Sequence, residues 1–184
     1  MLKEGIIKAY EYAQEKHNGQ IRKFSGLPYF THPKGVARII EQLTNNETLI
    51  IVSLLHDIVE DTDTTIEDIK QLFGEKISSI VGELTSRRLK NGEKKVDYLK
   101  KKMLYMTPDA LTVKLADRFH NVKYLEGDNV HYDFIKKYYK ETREIINFLK
   151  IELEFNEVQN LLVNRIEIIL DFLQLRYELK DFYD

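Results

Sequence analysis

The segment Leu54-Leu55-His56-Asp57-Ile58-Val59-Glu60-Asp61 gathers an imidazole and three carboxylates into one short stretch. On a continuous helix at about 100° per residue, His56, Glu60, Asp57 and Asp61 span about 140° of arc. Leu54, Leu55, Ile58 and Val59 take the opposite arc. One face would then be greasy and the other crowded with acids, which packing alone does not require. Carboxylates this close repel unless a cation or protons compensate. The chain has no cysteine, so imidazole plus carboxylate suits a transition divalent ion such as Mn²⁺, Fe²⁺ or Zn²⁺. Taken alone, the segment is equally open to reading as a solvent-facing acidic patch.

Two further segments offer matching groups. Tyr29-Phe30-Thr31-His32-Pro33 puts a histidine immediately before an expected helix start, where a structural hydrogen-bonder is the plainer reading. Lys114-Leu115-Ala116-Asp117-Arg118-Phe119-His120-Asn121 puts Asp117 and Asn121 four apart, on one helix face. An aspartate among Val113, Leu115 and Ala116 is expected to be partly buried. It then needs a cation, either a metal or an arginine such as Arg118. His17, His120 and His131 have no comparable partners and read as structural or surface residues.

The apolar period along the chain is three to four, which means helix. Ile6, Ile7, Tyr10 and Ala13 form one stripe, stopped by Asn18-Gly19. Residues 18–31 have loop composition. Pro33 suits the first position of the next helix. Asn45-Asn46 could cap a third helix running through His56 to Asp61. Thr64 and Glu67 fit a capping box for a fourth, ending near Phe73-Gly74. A fifth runs from about Glu75 to Ser86, and a sixth follows Asn91-Gly92 through Met106. Pro108 opens the helix that carries Asp117, and two long helical patterns cover roughly 129–150 and 154–182. No segment alternates with a period of two, so the expected fold is all-α, a multi-helix bundle with an additional C-terminal helix.

Composition narrows the function classes. Of 184 residues, 43% are hydrophobic, enough to bury one sizeable core. With 28 basic and 30 acidic residues the formal charge is −2, which is not the overall signature of a nucleic-acid or membrane binder. The missing cysteines exclude disulfides, zinc-thiolate sites, iron–sulfur clusters and a cysteine nucleophile. No apolar run is long enough to span a bilayer, and the N-terminus does not read as a signal peptide. A cytoplasmic protein is expected. Charge is nonetheless uneven. Residues 87–102 hold eight basic and two acidic side chains, and residues 151–184 hold three basic and eight acidic ones. These are either solvated helix faces or, for the basic segment, a neighbour of an anionic substrate.

Taken together, His32, His56-Asp57 and Asp117 resemble the HD superfamily of metal-dependent phosphohydrolases. The flanking residues narrow the resemblance. Gly19-Gln20, Arg22-Lys23, Ser25-Gly26 with Pro28-Tyr29, His32-Pro33, HDIVEDT (56–62), FGEKISSIVGELT (73–85), KKMLYM (101–106) and KLADRFHN (114–121) are similar to the hydrolase domain of RelA/SpoT proteins over about residues 5–150. The likeness implies a stand-alone small alarmone hydrolase, without the synthetase domain that long RelA/SpoT enzymes carry next. It divides the chain into a hydrolase domain, 1–150, and a helical extension, 151–184, packed on it.

The resemblance also implies roles. His32, His56, Asp57 and Asp117 would bind one Mn²⁺, which would bind the phosphoryl oxygen and lower the pKa of a bound water. Glu60 and Asp61 match an ED pair that would orient or deprotonate the attacking water and assist the leaving oxygen. Arg22 and Lys23 match positions packed against the base, Asn121 a nucleoside contact, and Tyr138 the same pocket. The implied reaction removes the 3′-pyrophosphate from guanosine 3′,5′-bis(diphosphate) or the pentaphosphate, leaving GDP or GTP. Related members that have lost hydrolysis have the HD-and-ED segment altered, whereas here it is intact. Two departures stand out. Phe24 intervenes between Lys23 and Ser25, and Leu27 replaces a common Glu. Both lie beside the base and bear on base preference. Rival readings keep the site but change the substrate to an adenosine alarmone or the 2′-phosphate of NADPH, or make the chain a non-catalytic alarmone sensor. A deoxynucleotide 5′-nucleotidase would leave the ED pair and the Arg-Lys loop unexplained. The stripe Leu153, Val158, Leu161, Leu162, Ile166, Ile169 and Leu173 is either a packing helix or a homo-oligomer seam.

Overall fold

Helix boundaries follow local chemistry, with three informative exceptions. The computed structural model describes residues 3–125 and 130–179. Among these the regular structure is ten helices and one isolated bridge, Ile21 to Pro28. The chain is all-α. Its helices are α1 (Glu4–Lys16), α2 (Thr31–Leu43), α3 (Glu47–Leu55), α4 (Ile58–Asp61), α5 (Ile66–Phe73), α6 (Glu75–Leu84), α7 (Lys95–Leu104), α8 (Pro108–Lys123), α9 (Tyr132–Glu152) and α10 (Glu157–Tyr177).

The first exception is at α2. The helix begins two residues before Pro33, after turns from Thr31 N to Pro28 O and from His32 N to Tyr29 O. Proline is tolerated there because the first turn's N–H groups have no intrahelical acceptor. His32 therefore sits inside the first turn of α2 rather than ahead of it.

The second exception is the expected helix through residues 47–61, which is two helices. Asn46 caps α3 as expected, its Oδ1 accepting from Thr48 N and Leu49 N at 3.1 and 3.4 Å. α3 stops at Leu55. His56 Nδ1 donates to Ser53 O at 2.8 Å. That carbonyl is the one a continuing helix would offer to the Asp57 N–H. Asp57, at φ −100° and ψ −5°, then opens the single turn of α4.

The third is a shift of one residue in the α5 cap. The box is Thr65 with Asp68, not Thr64 with Glu67. Thr64 is instead buried, where its Oγ1 accepts from Thr62 at 3.0 Å. Gly74, at φ +87°, makes the sharp turn between α5 and α6 that a side chain would resist.

α3 is apolar all round, with Leu49 to Leu55 buried, and so lies at the centre. α1 and α2 pack on it, and α8 packs on α2, α3, α6 and α10. The core joins Val36 and Ile40 of α2, Val52 and Leu55 of α3, Val113 and Ala116 of α8, and Ile145 and Leu149 of α9. From α10, Leu162, Ile166, Leu170 and Leu173 are buried in the same core. Gln159 ties that helix to α8, donating to Pro108 O at 3.0 Å and Thr112 Oγ1 at 3.1 Å. Leu161, by contrast, is exposed. The last residues of the expected final helix, 180–182, lie outside the described residues.

Candidate metal centre

Three helical segments bring two imidazoles and two carboxylates together. Of these, His32, His56 and Asp57 have donor atoms that all lie within 4.8 Å of one another, and Asp117 stands just outside that group. α2 contributes His32 from its first turn, the α3–α4 break contributes His56 and Asp57, and the middle of α8 contributes Asp117. His32 Nε2 is 3.2 Å from Asp117 Oδ1 and 3.4 Å from Asp57 Oδ2. His56 Nε2 is 3.2 Å from Asp57 Oδ2 and 3.9 Å from Asp117 Oδ1. Ligand bonds of about 2.0–2.2 Å put neighbouring donor atoms roughly 3–3.5 Å apart. The separations around Asp57 therefore suit an ion held by His32, His56 and Asp57, while Asp117 is within that range of His32 only. The helix break makes the convergence possible. On one continuous helix, His56 and Asp57 would diverge by about 100°. The expected single face carrying all four polar residues of 56–61 is therefore not formed, and Glu60 and Asp61 are exposed on α4.

The donor chemistry fits a cation. His56 Nε2 is buried without a hydrogen-bond partner, while its Nδ1 donates to Ser53 O. That leaves a lone pair aimed at two carboxylates, an arrangement only a cation or a proton relieves. Without an ion, burial pulls His56 down but the Asp57 and Asp117 charges outweigh it, pushing its pKa up to about 9. His32 is raised by the same two carboxylates against its own burial. Asp57 and Asp117 are both held well below the usual carboxylate range, burial notwithstanding, chiefly by His56 and by Lys114 respectively.

Polar neighbours hold the carboxylates in place. Tyr29 Oη donates to Asp57 Oδ2 at 2.7 Å. Lys114 Nζ reaches Asp117 Oδ2 at 2.9 Å, and Asn121 Nδ2 reaches Asp117 Oδ1 at 2.6 Å. The protein cation beside Asp117 is thus Lys114. Arg118 turns toward α9 instead, donating to Thr142 Oγ1 at 3.3 Å with its guanidinium 4.9 Å from the Tyr138 ring. The sequence reading missed His120. It is buried, with Nδ1 2.9 Å from His32 Nδ1, and burial, His32 and Arg22 pull its pKa down to about 3. Its spacing of three from Asp117 on α8 was the available signal. His17 is buried against Gln20 and Tyr29, and His131 is exposed ahead of α9.

Two cavities lie near His32, His56, Asp57 and Asp117, and of the four only Asp117 lines one, the smaller. The larger, about 530 Å³, is lined by Arg22, Lys23, Asn121 and Tyr138, together with Phe24 and Leu27. Arg22 Nη2 approaches Asn121 Oδ1 at 3.5 Å, and its guanidinium lies 5.7 Å from the Tyr124 ring. Phe24 packs on Phe134 at 4.7 Å, and Phe134 stacks on Tyr138 at 5.8 Å. The smaller cavity, about 320 Å³, is lined by Glu60, Arg87, Lys95, Lys114, Asp117 and others, and shares Asn121 and Tyr138 with the first. Glu60 Oε1 accepts from Ser86 N at 2.5 Å. Asp61 lies beside Tyr29, and its backbone carbonyl accepts from Gln20 Nε2 at 2.6 Å. From the basic segment, Arg87 and Lys95 face the smaller cavity, although Arg87 also pairs with Glu93.

A family model, the HD domain, matches residues 9–149, most of the chain. The chain belongs to the HD domain family. This HD domain is 42% identical over 128 residues to a guanosine-3′,5′-bis(diphosphate) 3′-pyrophosphohydrolase of Spiroplasma citri, covering 66% of this chain and 17% of that protein. It is 41% identical over 145 residues to the enzyme of that name from Aquifex aeolicus, covering 77% of this chain and 20% of that protein. A GTP pyrophosphokinase of Myxococcus xanthus is 36% identical over 167 residues, which is 81% of this chain and 22% of that protein. The chain thus spans about a fifth of the length of these relatives. Among solved structures, one described as a metazoan orthologue of SpoT that hydrolyses ppGpp superposes with a TM-score of 0.79 at 24% identity. That match covers 98% of this chain and 99% of the other, and extends the fold likeness beyond residue 149. No helix of the described residues is long and apolar enough to cross a membrane.

Proposed function

We propose that this HD domain hydrolyses the 3′-pyrophosphate of guanosine 3′,5′-bis(diphosphate) and of the pentaphosphate, releasing GDP or GTP and pyrophosphate. The supporting observation is the His32, His56 and Asp57 cluster with Asp117 beside it, adjoined through Tyr29, His120 and Asn121 by a cavity large enough for a nucleotide. The names of its relatives point the same way.

In this reading His32, His56, Asp57 and Asp117 hold one Mn²⁺. The ion, when bound, supplies Lewis acidity toward a phosphoryl oxygen and lowers the pKa of water. Glu60 and Asp61 hold or take the proton of the attacking water and assist the departing ribose 3′-oxygen. Arg22 offers a planar guanidinium face to the base and Lys23 a second positive charge beside it, Asn121 contacts the nucleoside, and Tyr138 closes the wall common to both cavities. Arg87 and Lys95 are suited to phosphate charge. Residues 1–150 form the catalytic unit, 151–184 an extension packed on it, and the setting is the cytoplasm.

Phe24 and Leu27 favour one alternative, a different base or group in the same site, since both line the larger cavity. A substrate panel separates the readings. Guanosine and adenosine alarmones and NADPH are each incubated with the chain and Mn²⁺, with and without chelator. Pyrophosphate release from the guanosine substrates, abolished by chelator, is expected. Phosphate release from NADPH alone, or nucleotide binding without turnover, would overturn the proposal.

A further inference from the structure

His120 has no role in the reaction as proposed, yet it is only 4% exposed and stands directly behind a proposed ligand. The His32 and His120 rings lie 4.8 Å apart at 60°, with Nδ1 facing Nδ1 at 2.9 Å. A ligand imidazole has to present a lone pair at Nε2. The His32 proton must then sit on Nδ1, where it donates to His120 Nδ1. The opposite arrangement, with His120 donating, would put a proton on His32 Nε2 and point it at the ion position.

A second observation concerns Gly35. It follows His32 by three residues and so shares its face of α2. A Cβ placed there would fall 2.6 Å from His120 Cδ2 and closer still to Nε2. Its φ is not in the left-handed range, so the backbone itself does not demand glycine. Alanine would ordinarily improve a helix interior. The absent side chain instead leaves the room that the His120 ring occupies.

We propose that His120, seated in the space left by Gly35, is a positioning residue that fixes the ring and proton of His32 so that Nε2 faces Asp57 and Asp117. The inference rests on the metal site proposed above. It concerns ion affinity, whatever the substrate.

The test is calorimetric titration of Mn²⁺ into the purified, chelator-stripped chain, with circular dichroism melts to check folding. His120→Ala is expected to weaken Mn²⁺ binding by roughly 10–100-fold, the usual effect of removing a ligand's support. His120→Asn should restore most of it, because Asn Oδ1 can accept from His32 Nδ1. Gly35→Ala should weaken binding comparably by displacing the ring. In the His120→Ala background the same glycine change should cost nothing further, since its methyl enters vacated space. Wild-type affinity in both single variants would overturn the proposal. So would an equal Gly35→Ala penalty in both backgrounds, which would mean the glycine acts on the helix alone. If Gly35→Ala does not fold, the contrast between Ala and Asn at 120 decides, and equal affinities there would count against the proposal. If the wild-type chain itself takes no Mn²⁺, the metal reading fails and this inference falls with it.

Discussion

Proton placement on two imidazoles, His32 and His56, separates the ion-free from the ion-bound site. Without an ion, the Asp57 and Asp117 charges push His56 up to about 9. A group whose folded pKa lies above its unfolded value of about 6.5 stabilises the fold fully below 6.5. That contribution is lost as pH rises through 9. The ion-free chain should therefore melt at progressively lower temperature between about pH 6.5 and 9. With Mn²⁺ the trend should reverse, because binding displaces imidazole protons and strengthens as pH rises. Melts of both forms across that range check the pair of slopes, and parallel slopes would mean that His56 is not a ligand. At the same scale, His56→Ala or Asp57→Ala should abolish ion binding and turnover together. Glu60→Gln or Asp61→Asn should leave ion affinity intact and reduce the rate by roughly 10²–10⁴-fold. Titration and steady-state assays on the same samples separate the two classes.

Among the elements, the break between α3 and α4 matters most to the site, and it was not legible in the sequence. Alternating greasy and acidic residues through 54–61 read as one amphipathic helix, because helical periodicity cannot register a carbonyl diverted to a side chain. His56 Nδ1 on Ser53 O is such a diversion. Of the proposed ligands, the His56-Asp57 doublet stood out by type in an apolar stretch. His32 alone read as a structural hydrogen-bonder and Asp117 as the partner of a metal or an arginine, so the set of four rested on the family resemblance. His120 was not legible, because its meaning lies in the ring of His32, 88 positions away. Helix ends were legible where a cap chemistry is local, as at Asn46, and slipped by one residue where Thr64 and Thr65 compete. Asn46→Ala should cost about 1 kcal/mol, read from denaturant midpoints, with little change in ion affinity, because α3 is otherwise held by its buried surround.

For the molecule as a whole, the long helix beyond the HD match shares the core of the rest. Leu170 is fully buried, and Gln159 bonds to the start of α8, the helix that carries Asp117. Leu170→Ala should therefore cost about 2–5 kcal/mol and lower one cooperative transition rather than release a separate one. A second, lower transition confined to the variant would mean that α10 folds apart from the rest of the chain.

The most direct measurement is anomalous diffraction at the manganese edge from crystals of the Mn²⁺-loaded chain. The account predicts one strong peak about 2.2 Å from His32 Nε2, His56 Nε2 and a carboxylate oxygen each of Asp57 and Asp117. A peak bound by other residues, or one that leaves His32 or Asp117 out of its coordination, would contradict it.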